Sequence, residues 1–232
     1  FCLSRGLGDV YKRQVHCNNC TSDLNAWVGL FAEFAECFGI KADKNKLFST
    51  LYQKAMEGDK DCGGMIACNY YSGEPVTGLE EGRPMFLRRP DSHLGLANFM
   101  RSHLYASLAT LKIGLDILLK EEDVKIDSIT GHGGLFKTKG VGQSILAAAM
   151  NAPISVMETA GEGGAWGMAL LAAYMLSKKD GQSLGDYLDS RIFAERKSET
   201  MEPDLADVAG FETYTKQYQA CLAAEKAAVQ AF

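Results

Sequence analysis

Apolar residues at Leu24, Trp27, Val28, Phe31, Phe34, Ala35 and Phe38 recur at the helical period, with Thr21 or Ser22 ahead of them as N-cap. This pattern predicts a first amphipathic helix. A shorter run from Lys44 to Gly58 predicts a second helix ending at its glycine. "GGMIACNYYSGEP" (63–75) reads as a short β-prone run entering a Gly/Pro loop, and "RPMFLRR" (83–89) as another strand. From Leu94 to Glu121, Leu104, Leu108, Leu111, Leu115 and Leu118 step by four, three, four and three, which predicts one long helix. "VKIDSITGHGGLFKTKGVGQSILAAAMN" (124–151) then reads strand, glycine loop, helix, and "APISVMETAGEGGAWGMALLAAYMLS" (152–177) repeats that order. Two such units in succession predict a parallel or mixed sheet with helices on its faces. The tail adds "SLGDYLDSRIF" (183–193), a polar connector around Glu195 to Asp207, and a last helix from Phe211 onward.

Composition narrows the class. The 232 residues, 47% hydrophobic and 23% charged, are ordinary for a globular domain with a sizeable core, and suffice for one large domain or one and a half average ones. A formal net charge of -5 without any basic run argues against a nucleic-acid or anionic-membrane partner. The longest apolar run, "AWGMALLAAYML" (165–176), stops at Ser177-Lys178-Lys179 and is too short to span a bilayer. The seven cysteines are scattered and form no disulfide framework, so a cytoplasmic location is expected. Cys17 and Cys20 have the C-x-x-C spacing of zinc or redox sites, but no second ligand pair stands at a plausible distance.

The first fourteen residues are expected to be foreign. Asp9 to Gln14 can be written GAT GTG TAT AAG AGA CAG, which resembles the transposase mosaic end of sequencing-library adaptors, and Ser4 to Gly8 fit the adaptor codons ahead of it in frame. Residues 1–14 are therefore set aside from fold reasoning. The natural chain is expected to begin near Val15, with an N-terminal portion missing.

Glycine at the end of a strand lets backbone approach a ligand closely, and the helix beyond it offers free amide donors. "TGHGGL" (130–135) and "TAGEGGAWG" (159–167) are therefore nucleotide-loop candidates; alternatively, their glycines merely allow tight strand–helix packing. "GEGGAWG" imitates a dinucleotide fingerprint, but no strand ending in an acidic residue follows at the required distance. No Walker P-loop occurs either.

Paired glycine loops around a long helix resemble the C-terminal domain of the FGGY carbohydrate kinases, within the actin/hexokinase-like superfamily. "SGEP" (72–75) followed by "GRPMFL" is similar to that family's G-E-R-x-P loop, and "LANFMRSHLYASLATLKIGLDIL" to its second signature. "GHGG" and "GEGGAWGMALLAA" resemble its adenosine-loop glycines and closing helix. The sequence departs from the pattern at His103 and Tyr105, where small and acidic residues are usual. The phrasing looks most like ribulokinase- and xylulokinase-type members.

The resemblance implies an α/β, RNase H-like domain with a mixed sheet, incomplete at its N-terminus, over residues 15–232. It implies ATP and Mg2+ as cofactors, a sugar as substrate (a ketopentose, L-ribulose or xylulose), and a missing N-terminal kinase domain in cis; it admits a homodimer. Gly133 and Gly134 would flank adenine and ribose, with Leu135 and Thr138 lining that pocket. Gly163 and Gly164 would form the opposite wall or support it, and Gly73 would approach the phosphates. Glycines 163 and 164 have a plain alternative as a helix cap.

His132 between glycines would orient backbone or be solvated rather than catalyse. Lys137 and Lys139 read as solvated charges and Trp166 as core. Asp23 and Asp61 lack the glycine-flanked setting of the family's base, so no catalytic residue is assigned; the base is expected upstream, and this piece alone should not catalyse. The rival readings are a non-catalytic ATP-binding member of the superfamily, and an acyl-group or NAD enzyme whose glycine loops match by convergence.

Overall fold

The computed structural model describes residues 15–120, 126, 129–158, 161, 163–194 and 198–231. Two helices come first, α1 (Ser22–Cys37) and α2 (Lys44–Ala55). Asp43 caps α2 by accepting a hydrogen bond from the Lys46 amide, whereas Thr21 stands at the start of α1 without a side-chain cap bond. Strand β1 (Met65–Cys68), buried at every position, pairs antiparallel with β2 (Met85–Arg88), with Met65 opposite Arg88.

The long helix α3 (Leu96–Lys120) is the spine of the molecule. From Met100 to Thr110 every residue is buried, because α2, β1, α4 and α7 pack around it. His103 and Tyr105, the two departures from the family pattern, lie in this stretch. His103 Nδ1 stands 2.9 Å from the Asp23 carboxylate among the rings of Trp27, Phe86 and Phe99. The Tyr105 hydroxyl accepts hydrogen bonds from Arg101 Nε and Nη2.

The second sheet has the order β3 (Ile129–Gly131), β4 (Ile154–Met157), β5 (Ser198–Met201). The β3–β4 pair is parallel and the β4–β5 pair antiparallel, so the sheet is mixed, as the repeated strand–loop–helix pattern predicts. Helix α4 (Val141–Met150) follows β3 and covers one face, and α5 (Gly163–Ser177) follows β4. A short α6 (Leu184–Tyr187) runs into a π-helical turn over Leu188–Phe193.

Two parts of the tail differ from the sequence expectation. The polar connector contains β5, whose residues are mostly exposed and carry no apolar alternation. Gln143 on α4 helps hold it by donating to the carbonyls of Ile154 and Glu199. The last helix, α7 (Leu205–Ala231), begins six residues ahead of Phe211, because Asp204 accepts hydrogen bonds from the Ala206 and Asp207 amides and starts it there. Among the described residues no helix is long and apolar enough to cross a membrane.

One core joins distant parts of the chain. Phe211, Tyr214 and Tyr218 of α7 are fully buried. The Tyr214 hydroxyl donates to the carbonyl of Ser102 and lies 3.2 Å from that of Ala67. Arg101, also fully buried, reaches the carbonyls of Ala55 and Met56 and pairs with Asp207 of α7. The segment after Val15 is tied in by Glu74, whose carboxylate accepts from the Asn18 and Asn19 amides. Asn19 Oδ1 in turn accepts from the amides of Tyr71 and Ser72.

Candidate functional site

The loop after β3 is shaped by glycines. Gly133 has φ 113°, a conformation that side chains with a Cβ rarely adopt, and it opens a 3₁₀ turn over Gly134–Lys137. At Gly142 in α4, a Cβ would lie 2.5 Å from the Leu135 carbonyl oxygen, so the loop can rest directly on the helix only because that position is bare. Thr138, at the end of the loop, is buried, and its carbonyl accepts from the Val141 amide.

This loop forms one wall of a cleft of about 820 Å³. The opposite wall comes from α1 and α2, and the far end from the β4–α5 connection. Phe48, Tyr52, Leu135, Phe136, Met157 and Trp166 give it an apolar lining, and Thr21, Asn25, Asn45, Ser49 and Thr138 supply polar groups. Phe48 and Tyr52 meet edge to face at 5.9 Å, and burial pushes the Tyr52 phenol up to about 12. Gln53 of α2 donates to the Lys139 carbonyl across 3.3 Å, which ties the two walls together. The volume lies in the range of small-molecule sites, and a mostly apolar slot with a few polar groups suits a flat heteroaromatic ring attached to a polar tail.

Of the residues singled out from sequence, the structure brings Gly134, Leu135 and Thr138 together on this cleft, with Gly133 shaping the loop that carries them. Gly163 starts α5, the helix that carries Trp166 into the cleft. Gly164 lines a separate apolar groove with Leu170, Leu171, Leu184 and Leu188. Gly73 sits in another depression with Asn18, Pro75 and Gly78. A Cβ at Gly73 would lie 2.2 Å from the Glu80 carbonyl oxygen, so its bareness is required by the loop's own fold.

His132 is exposed, and Lys137 lines the cleft. Lys139 forms an exposed ion pair with Glu199. Asp23 is buried, where it accepts from Trp27 Nε1 and faces His103; Asp61 accepts from the Gly63 amide. Burial, with the Glu74 carboxylate adding to it, pushes the Cys17 thiol up to about 12, and all six described cysteines are unbridged.

The α1 and α2 wall escapes sequence reasoning, because Asn25, Asn45 and Ser49 sit on ordinary amphipathic helices with no motif around them. Trp166, read as core from sequence, is half-buried in the cleft lining.

Solved structures similar to this one include xylulose, gluconate and glycerol kinases. The xylulose kinase from Rhodospirillum rubrum superposes with a TM-score of 0.60 at 18% identity, over 86% of this chain and 38% of that one. The ligand-bound xylulose kinase from Lactobacillus acidophilus gives 0.57 at 19% identity, over 76% and 35%. The glycerol kinase from Plasmodium falciparum, solved with ADP, gives 0.54 at 17% identity, over 86% and 37%. The chain thus spans little more than a third of the length of these kinases. No curated protein matches its sequence. The mixed sheet with flanking helices is the actin/hexokinase-like ATPase fold these kinases share. The family model for the C-terminal domain of the FGGY carbohydrate kinases matches residues 12–176, and the chain belongs to that family.

Proposed function

We propose that the cleft between α2 and the 133–138 loop holds the adenosine of ATP. On this reading the chain is the nucleotide-side part, residues 15–232, of a cytoplasmic kinase that transfers the γ-phosphate to a sugar hydroxyl. The observation that carries the proposal is the convergence of Gly134, Leu135 and Thr138 with Phe48, Tyr52 and Trp166 on one small-molecule-sized cleft in a chain of this family.

An adenine ring would lie between the apolar side chains, with Asn45, Ser49 and Thr138 available as hydrogen-bonding partners for its edge and for the ribose. The backbone of Gly133 and Gly134 lets the ribose approach without a side chain intervening. Among the described residues, no three His, Cys, Asp or Glu side chains cluster to hold a metal, so Mg2+ would arrive on the triphosphate. There it would offset oxygen charge during transfer. The sugar pocket and the base belong to a preceding domain in cis, and this chain alone does not catalyse. A ketopentose, xylulose or L-ribulose, is the favoured acceptor, since several of the similar structures are xylulose kinases.

The test is a titration with ATP and with GTP, followed by tryptophan fluorescence. The chain has two tryptophans; Trp27 packs against Phe99 and His103, and Trp166 lines the cleft. ATP should change the emission of the 232-residue chain saturably, and Trp166→Phe should abolish that change while calorimetry still detects binding. Saturable binding that survives Ser49→Trp, a substitution that fills the cleft, would place the nucleotide elsewhere.

A further inference from the structure

Helix α1 is embedded over only half its length. Asp23, Leu24 and Val28 are buried, and Trp27 meets the rings of Phe99 and His103. After Val28 no residue of the helix is buried, although the sequence stays largely apolar. Leu30, Phe34, Phe38 and Ile40 stand at 51, 63, 69 and 60% exposure.

These side chains form one strip. Leu30 and Phe34 are a turn apart and share a face of the helix. The Phe34 and Phe38 ring centroids are 5.1 Å apart. Gly39, at φ 73°, ends the helix: its amide donates to the Glu36 carbonyl, and the Ile40 amide reaches back to that of Ala35. This crossed pair of bonds folds Ile40 back over the last turn. Cys37, in that turn, is exposed as well.

The strip faces away from the nucleotide cleft. Thr21 and Asn25, one turn apart, line the cleft. At the helical repeat, Leu30, Phe34, Cys37 and Phe38 lie roughly a third to a half of a turn around α1 from Asn25. A preceding domain that presents a sugar to the γ-phosphate is drawn to the cleft side of α1, which leaves the strip for a different occupant.

We propose that this occupant is a second copy of the chain, the two related by a two-fold axis near the last turns of their α1 helices. At these exposures each of the four side chains offers on the order of 100 Å², so together they supply about half of the roughly 800 Å² per partner of a standard interface. They supply it as an apolar middle, with polar residues left for the rim. The charges beside the strip suit self-association. Glu33 and Glu36 precede the Gly39 turn, Lys41 and Lys44 follow it, and all four are exposed. Antiparallel packing about a two-fold turns the carboxylates of each copy toward the lysines of the other.

The inference rests on the cleft reading for the side from which the preceding domain comes, but it is measured without nucleotide, so a monomer that still binds ATP sinks the dimer alone. Light scattering of the 232-residue chain should give twice the mass of a single chain. Phe34→Lys and Phe38→Lys, both at exposed positions outside the cleft, should each weaken association by at least about tenfold and leave the ATP titration unchanged. Met175→Lys, at an exposed apolar position of α5, should leave the dimer intact. A short bis-maleimide should join the two copies through Cys37, as located by mass spectrometry. The complete kinase, expressed from the gene extended upstream of the Val15 codon, should give the same link. Single-chain mass at every concentration, a dimer that survives Phe34→Lys, or a link through other cysteines with none through Cys37 would each overturn the proposal. So would a complete kinase that is monomeric with Cys37 closed to alkylation, which would assign the strip to the preceding domain.

Discussion

Helices α4 and α5 have similar apolar sequences and opposite surroundings. In α4 every residue except Ser144 is buried, between the mixed sheet, α3 and α7. In α5 one described side chain is buried, and the segment that follows packs against one side of the helix. The difference teaches that apolar content states a demand for burial without naming what meets it. For α4 the partner is in the chain, part of it from residues about 70 positions downstream in α7. For α5 it is not among the described residues.

The largest expected effect tests the covered region at its most constrained point. Arg101 is fully buried, donates to carbonyls at the end of α2 and pairs with Asp207. Arg101→Ala should cost about 3–5 kcal/mol in urea unfolding, because it strands the Asp207 carboxylate. Lys60, 2.7 Å from the same oxygen, moves the expectation to the low end. A loss under about 1 kcal/mol would mean the covered region owes little to this junction.

The comparison itself is tested next. Ile145→Ala in α4, where the side chain is 1% exposed, should cost about 2–5 kcal/mol, the usual range for emptying a core position. Leu171→Ala in α5 should change stability by no more than about 0.5 kcal/mol in the 232-residue chain. Comparable losses at the two positions would refute the contrast.

Between these lies Gly133→Ala, which forces a Cβ into a conformation at φ 113° and should cost about 1–3 kcal/mol. Part of that loss should return as weakened ATP binding, measured by calorimetry on the folded fraction.

The smallest effect is a pH dependence on the covered side. Hydrogen bonds from Asn98 first, then His93, hold the exposed Asp59 carboxyl below its ordinary range. Folding therefore favours the ionised form. The resulting stability is fully present above about pH 3.9 and is lost as pH falls through the lower folded value. In acid unfolding curves Asn98→Ala should differ from the parent chain more at pH 6 than at pH 2.5. An equal difference at both would show that Asn98 acts only through packing.

Much of this architecture was legible in the sequence, for reasons that differ by element. α1, α3 and the two strand–loop–helix units announce themselves by period and by glycine placement. β5 does not: Ser198–Met201 is an exposed, polar edge strand held by backbone pairing and by Gln143, and neither leaves a hydrophobic pattern. The start of α7 is hidden for another reason, since its cap Asp204 lies inside the stretch that reads as a polar connector. In the site, the glycine loop was readable because Gly133 and Gly142 are demanded by backbone geometry. The facing wall was not, because Asn45, Ser49 and Tyr52 become neighbours of that loop only through tertiary packing. At Gly73 the chain's own carbonyl at Glu80 already requires a bare position, so the motif glycine has a reason in the fold beside the phosphate contact proposed for it.

The seating of α7 has a consequence for the order of synthesis. Its tyrosines reach hydroxyl partners at Ala67 and Asn69, almost 150 residues back along the chain. The first half of the protein therefore leaves the ribosome with β1 and the middle of α3 still open on one side, and waits for α7 to close over them. A domain boundary drawn at the end of the family match would leave that wait unending. Helix α7, outside the stretch shared with the family model, is the piece that closes this part of the core.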